Sequence, residues 1–300
     1  MNEKEFLKLA KKYAEPFCVT NGKTFRLGQV DPGETLGEEK AAAKEALKAG
    51  AELIGELQDK LYAHDQWAVL LIFQAMDAAG KDGAIKHVLS EVNPQGCEVT
   101  SFKAPSAEEL DHDFLWRCAK RLPERGRIGV FNRSYYEETL VVRVHPEYLK
   151  AQKLPPAILK TEDFWNQRFD AIRNFERYLT NNGVVILKFF LHVSKEEQQE
   201  RFLARIDDPA KNWKFSMQDV KEREHWDAYM HAYEETVRNT ASEHAPWYVV
   251  PADKKWFTRL AVASAIVQRM NAMDLSYPKL GEDELKALAG AREALLQTGD

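Results

Sequence analysis

The residues best suited to chemistry fall in one short stretch, QAMDAAGKDG (74–83), which directly follows the apolar run WAVLLIF (67–73). A strand, a glycine-containing turn and a helix in that order make a phosphate cradle, whose pattern is G-x-x-x-x-G-K-[ST]. Here the pattern becomes Ala75-x-x-x-x-Gly80-Lys81-Asp82. Gly80 lets the backbone approach an anion, and Lys81 can neutralise phosphate oxygens. The helix that starts near Gly80 points its free N–H groups and positive dipole end at the same place. Two positions depart from the pattern: Ala75 replaces the first glycine, and Asp82 replaces the hydroxyl that usually holds Mg²⁺. A further carboxylate, Asp77, sits inside the loop. A bare carboxylate beside phosphates is repelled by several kcal/mol at low dielectric. A divalent cation between them reverses the sign, and Mg²⁺ commonly takes one or two carboxylates plus phosphate oxygens. Asp77 is therefore expected to associate with metal. The competing reading is a tight turn in which Asp77 caps the helix.

Other candidates surround this loop. The third apolar run ends in Phe131-Asn132-Arg133, and ligands sit at the carboxyl ends of parallel strands. Asn132 can orient a metal-bound water, and Arg133 can grip a phosphate bidentately; Arg133 pairing with Glu137 or Glu138 is the alternative. The second run ends at Lys103, and Arg117 follows as a candidate for an acceptor phosphate or as a surface arginine. His112, between Asp111 and Asp113, reads as a solvated helix start. From Arg201 to Arg223 six bases (Arg201, Arg205, Lys211, Lys214, Lys221, Arg223) outnumber four acids. Arg201 and Arg205 share a helix face, where like charges repel unless an anion bridges them. Asp208-Pro209 interrupts the segment, giving two helices and a hinge. That is the build of a lid that closes on phosphates and excludes water, though a solvated helical hairpin has the same composition. Of the aromatics Trp213, Phe215, Trp226, Tyr229 and Tyr233, most suit a core, and one could stack on a base.

These residues need a scaffold, and the rest of the chain supplies one. It has 300 residues, 44% of them hydrophobic, and a formal charge of −5. That balance speaks against bulk nucleic-acid binding, so a polyanion would need a local basic track. No apolar run approaches the roughly 20 residues of a membrane span, and the N-terminus has no signal-peptide core, so a cytoplasmic protein is expected. Cys18, Cys97 and Cys118 read as reduced and structural. Five runs bounded by turns (67–74, 97–104, 127–132, 184–193 and 247–252) are nearly continuous in apolar content, as in strands buried on both faces. Helical patterns between them predict a parallel sheet with right-handed crossovers. Thr35 and Glu38 are expected to form a capping box before a helix running to about Tyr62. Ser106–Glu109, Ser194–Glu197 and Ser216–Asp219 mark further helix starts. The last 20 residues suit a surface helix with a frayed end.

Taken together, FQAMDAAGKDGAIKHV, VNPQGCEVTSFKAPS, EELDHDFLWR, GRIGVFNRSYYE, VVRVHPEYL, VILKFFLHVSKEEQ, RFLARIDDPAKNWKFS and APWYVVPADKKWFTRL resemble the polyphosphate kinase 2 family over about residues 15–280, closest to its class III. The resemblance implies an α/β fold, a P-loop kinase-like (thymidylate-kinase-like) three-layer sandwich with a five-stranded parallel sheet and a helical lid. It implies an N-terminal arm and helix over 1–66, a core over 67–280 with the lid at about 201–223, and a C-terminal helix over 281–300. It implies Mg²⁺-dependent phosphoryl transfer, with Mn²⁺ as a substitute, from inorganic polyphosphate to AMP and ADP and in reverse, with guanine nucleotides as further candidates. Asp77, Lys81 and Arg133 would be catalytic. Polyphosphate would lie on Ala78, Ala79, Gly80, Lys81, Asp82, Gly83, Lys86, Arg201, Arg205, Lys211 and Lys214. The nucleotide would meet Lys103, Arg117, Asn132, Arg133, Glu137 and Arg143. Asp77 would hold the metal, joined through water by Asn132 and Glu137. Many relatives carry Asp where this chain has Asn132 and Gly where it has Ala75; both departures look like class III, whose members accept AMP as well as ADP. A homo-oligomer, dimer or tetramer, is expected. The rival readings are an ATP-dependent nucleoside-monophosphate kinase and a non-catalytic nucleotide sensor.

Overall fold

The structure, a computed structural model, describes residues 3–297. Its centre is a sheet of six strands: β1 (Cys18–Val19), β2 (Ala68–Ala75), β3 (Cys97–Ser101), β4 (Ile128–Asn132), β5 (Val184–His192) and β6 (Trp247–Pro251). Their order across the sheet is β1-β6-β5-β2-β4-β3. The five expected strands are all present and mutually parallel. The correction is a sixth, two-residue strand, β1, pairing antiparallel with β6. It comes from the N-terminal arm, where two residues between Gly- and Pro-containing turns carry too little pattern to be read as a strand.

Burial explains the apolar runs. Seven of eight residues in β2 and all nine in β5 are buried, since helices cover both faces of the sheet. The helices Glu3–Ala14, Lys40–His64 and Lys255–Asn271 pack on one another and against the helix Lys81–Val88. The helices Phe164–Asn181 and Trp226–Thr240 form a second group. The last helix, Glu282–Gln297, buries none of its residues, and residues 298–300 of the expected frayed end lie outside the described chain.

Of the four expected helix starts, those at Ser106, Ser194 and Ser216 carry side-chain N-caps. Ser106 and Glu109 make the full capping box, and Ser194 accepts from the Glu197 amide. Ser216 instead accepts from Gln218 N–H, one residue earlier than expected. Thr35 and Glu38 form no capping box. The Glu38 amide donates to Thr35 O in a turn, the Glu38 carboxylate pairs with Lys12, and the helix starts later, at Lys40, running to His64. The cysteines are free. Burial pushes the thiols of Cys97 and Cys118 up to about 11 and about 12, which keeps them protonated and unreactive.

One charge is hidden in the middle of a strand. Lys188 of β5 is fully buried and donates to Glu176 Oε2 at 2.7 Å, Thr240 O at 2.8 Å and the Tyr136 hydroxyl at 3.0 Å. Glu176 also accepts from the Tyr135 and Tyr136 hydroxyls at 3.0 and 2.7 Å. Burial pushes the Lys188 ammonium down from the ordinary lysine value, and Glu176 opposes that shift. Removing one partner leaves the other unpaired in the core, which costs roughly 3–5 kcal/mol. Lys188→Met should lower unfolding free energy in urea by that order, and adding Glu176→Leu should recover most of the loss.

Candidate active site

The site is assembled by the adjacency of two strand ends. β2 and β4 pair in register, with Phe73 opposite Asn132. The chain leaving β2 becomes the loop Met76–Gly80, and the chain leaving β4 turns at Arg133. The Arg133 amide donates to Phe73 O at 3.0 Å, and its Nη2 donates to Asp77 Oδ1 at 3.0 Å. Three residues here are left-handed: Ala78 (φ 60°), Gly80 (φ 107°) and Arg133 (φ 65°). Gly80 adopts this freely, whereas Ala78 and Arg133 each cost on the order of 1–3 kcal/mol, a strain typical of functional loops.

Lys81, the first residue of the loop helix, is buried and donates through Nζ to Ala75 O at 2.8 Å, so its ammonium spans the mouth of the loop. Burial pushes that ammonium below the ordinary lysine value, Arg133 adds to the shift, and Asp77, Glu137 and Asp82 oppose it. Burial likewise pushes the Glu137 carboxyl up, against Arg133 and Lys81, while Gln74 Nε2 donates to Glu137 Oε1 at 3.1 Å. Asn132 Nδ2 donates to Asp82 Oδ1 at 2.8 Å, tying the two positions that depart from the usual loop and strand patterns to each other. Asp77 is one-third exposed, and Arg133 holds its carboxylate. No cluster of three or more His, Cys, Asp or Glu that could cage a metal occurs among the described residues. The few carboxylates open at this loop, Asp77 and Asp82, fit Mg²⁺ held mainly by phosphate oxygens and water.

The helix Lys195–Ile206 covers the loop. Its inner face carries Gln198, Arg201 and Arg205 on successive turns. Gln198 Nε2 donates to Asp77 O at 2.9 Å. Arg201 is buried, and its Nη1 and Nη2 donate to Ala78 O, Ala79 O, Ala252 O and Asp253 O at 2.6–3.1 Å, while Nε donates to Glu197. Arg201 therefore holds loop carbonyls, and these, with the carboxylates of Glu197 and Asp219, offset its proximity to Arg205. Peptide N–H and C=O groups point in opposite directions, so the same contacts leave the loop amides to a ligand, except that of Ala79, which donates to Met76 O at 3.2 Å. Arg205 stands 3.7 Å from Asp219 in the following helix, Met217–Glu222.

Two cavities flank these residues. The first, about 640 Å³, follows the loop from Met76 to Gly83 and is lined by seven cations against the carboxylates of Asp77, Asp82 and Asp219. The seven are Lys81, Lys103, Arg133, Arg201, Arg205, Lys211 and Lys255. The second, about 530 Å³, is mainly apolar, with Phe102, Leu140, Val141, Tyr229 and Tyr233 in its walls and Arg117, Glu137 and Glu138 at its edges. Both contain Met76, Asp77, Phe102, Lys103 and Arg133, so Asp77 and Arg133 stand at the junction. A third cavity, about 550 Å³ under the arm 16–36, shares no residue with either.

Sequence-predicted residues divide accordingly. Ala78, Ala79, Gly80, Lys81, Asp82, Gly83, Arg201, Arg205 and Lys211 line the charged cleft, as do Asn132 and Lys103. Arg117 donates to Lys103 O at 2.8 Å and lies at the apolar cavity beside Glu137. Two expected residues lie elsewhere. Lys86 is exposed and lines neither cavity, because it sits a turn further along the loop helix. Arg143 lies over the rings of Trp165 and Phe169, away from both cavities. The side chain of Lys214 lies outside the described structure. Sequence reasoning missed Asp219 and Lys255, whose signals are single charges in mixed segments. It also left Tyr229 and Tyr233 unchosen among five aromatics, although their i,i+4 spacing puts both on one helix face. Trp213 is 74% exposed. Among the described residues no helix is long and apolar enough to cross a membrane.

A glycine-turn cradle after a central parallel strand, under a helical cover, defines a P-loop kinase-like protein. Residues 37–278 match the family model described as "Polyphosphate kinase 2 (PPK2)". The chain is 53% identical over 285 residues to an ADP-polyphosphate phosphotransferase of Rhodopseudomonas palustris, covering 94% of this chain and 98% of that protein. It is 44% identical over 257 residues to an AMP/ADP-polyphosphate phosphotransferase of Meiothermus ruber, covering 85% and 92%. The crystal structure of polyphosphate kinase 2 from Arthrobacter aurescens TC1 superposes with a TM-score of 0.82 at 41% identity, covering 91% of this chain and 95% of that one. The chain belongs to the polyphosphate kinase 2 family.

If Lys81 binds phosphate, it does so only as an ammonium, and burial lowers its pKa in the free protein. Phosphate affinity should therefore fall as pH rises, beginning below the ordinary lysine value of 10.5. In pH profiles of kcat/KM, Lys81→Arg should move this alkaline limb upward. Lys81→Met should lower kcat/KM by about 10²- to 10³-fold with the circular-dichroism spectrum unchanged. A limb at the ordinary lysine value would displace Lys81 from this role.

Proposed function

We propose that this enzyme transfers the terminal phosphate of inorganic polyphosphate to AMP and to ADP, and catalyses the reverse transfer. The observation that carries the reading is the meeting of two unlike cavities at Asp77 and Arg133. A cleft rich in cations suits a chain of phosphates, and a mainly apolar pocket suits a nucleoside. A phosphate from each would meet at the shared junction. The relatives' names, which pair polyphosphate with AMP or ADP, support the same assignment.

Phosphoryl transfer between phosphates asks a protein mainly for alignment and charge neutralisation. In this reading, the donor chain lies over the amides of residues 78–83, with Lys81 on its bridging oxygens and Arg205 and Lys211 above it. Arg133 and Arg117 hold the acceptor phosphate, and Tyr229 and Tyr233 with Phe102 wall the nucleoside. Arg133 also fixes Asp77. Mg²⁺, with Mn²⁺ as a substitute, would be held by Asp77 and would neutralise the oxygens brought together at the junction. Asn132 and Glu137 would act on it through water, Asn132 while tied to Asp82. The Lys81 ammonium needs no protein nucleophile beside it, so a direct transfer suffices. Homo-oligomeric assembly, cytoplasmic location and use of guanine nucleotides belong to the same reading.

The test mixes purified protein, Mg²⁺ and polyphosphate with AMP and follows the nucleotides by chromatography. ADP should appear first and ATP after it. Chelation should stop the reaction, and Asp77→Asn should raise the Mg²⁺ concentration needed for half-maximal rate. Full turnover with ATP as donor and none with polyphosphate would replace this reading with that of a nucleoside-monophosphate kinase.

A further inference from the structure

The cation-lined cleft continues past the loop to a helix to which no role has so far been given. Lys255 opens the helix Lys255–Asn271 and lines the cleft together with Gly80, Gly83 and Lys211. Arg259 is one turn further on the same face. Its Nη2 stands 3.4 Å from where a Cβ on residue 83 would lie, so the glycine lets the guanidinium rest against the first turn of the loop helix. Neither residue lines the apolar cavity.

Among the described residues neither Lys255 nor Arg259 forms a hydrogen bond or an ion pair. Burial pushes the Lys255 ammonium below the ordinary lysine value, and Arg201, Arg259 and Lys211 push it further, with Glu197 opposing. Burial alone pushes Arg259 down. Arg201 is paired with Glu197 and Lys211 with Asp208, so the unshared positive charge of this group sits on Lys255 and Arg259, which repel one another until an anion arrives. The N-terminal end of the same helix adds its positive dipole.

Resting on the function proposed above, we propose that Lys255 and Arg259 form the distal subsite of the donor cleft, where they hold phosphates far from the transfer point and so set the preference for long polyphosphate over short. Asp77 and Arg133, at the transfer point, line both cavities, whereas Lys255 lines the charged cleft alone and Arg259 rests against Gly83. A short oligophosphate seated for transfer stops before the distal pair. A long chain reaches it and gains two further charge contacts.

The experiment compares tripolyphosphate with long-chain polyphosphate as donors for the wild type and for Lys255→Ala/Arg259→Ala. In the double variant KM for the long chain should rise by about 10-fold, the order expected of two exposed ion pairs. KM for tripolyphosphate should rise far less, so that the ratio of the two KM values moves away from the long-chain preference of the wild type. Lys255→Arg with Arg259→Lys should keep the long-chain preference, and melting temperatures should match throughout. An equal rise of KM for both donors, or no rise for either, would overturn the subsite. Wild-type turnover of neither donor would instead sink the underlying reading of function, and the subsite with it.

Discussion

The contact on which the site depends is the hydrogen-bonded pair between Arg133 and Asp77, 3.0 Å apart. It joins the turn after β4 to the loop after β2, and so brings a cation and a carboxylate to the border between a charged cleft and an apolar one. Arg133 is left-handed, a conformation that a bulky residue adopts only when its surroundings enforce it. The enforcing contacts are the Arg133 amide on Phe73 O and its side chain on Asp77, and both exist because β2 and β4 are neighbours in register. Sheet order thus acts directly on chemistry. If β4 lay elsewhere in the sheet, the loop would keep its own shape and lose its junction.

The loop itself shows how unusual residues are accommodated. Asp82 stands where a hydroxyl is ordinary, and Asn132 donates to it at 2.8 Å. An acid at one position and an amide at the other are thus one substitution in physical terms, since two carboxylates at this distance would repel. Arg201 completes the arrangement by holding the carbonyls of Ala78 and Ala79.

Much of this was legible in the sequence because it was local. Continuous apolar runs announced the five parallel strands, and Gly80-Lys81 after the first of them announced the cradle. What escaped was non-local. A two-residue strand leaves no periodicity. Lys188 is a single charge in an apolar run, and its partners Glu176 and Thr240 come from two different helices. Arg143 has the residue type of a phosphate ligand, yet its helix turns it onto Trp165 and Phe169. Arg201 and Arg205 look alike in sequence, but one turn of helix separates a loop carbonyl clamp from a side chain that faces Asp219. Charge type is visible in a sequence, whereas the direction a side chain takes is decided by packing.

The attachment of the cover to the loop has a mechanical consequence. Gln198 and Arg201 bind the first half of the helix Lys195–Ile206 to the backbone of Asp77, Ala78 and Ala79. That half cannot lift without breaking the cradle beneath it. A swing of the cover that left the cradle whole would have to begin beyond Ile206, near Asp208-Pro209, like a side door hung on a fixed post.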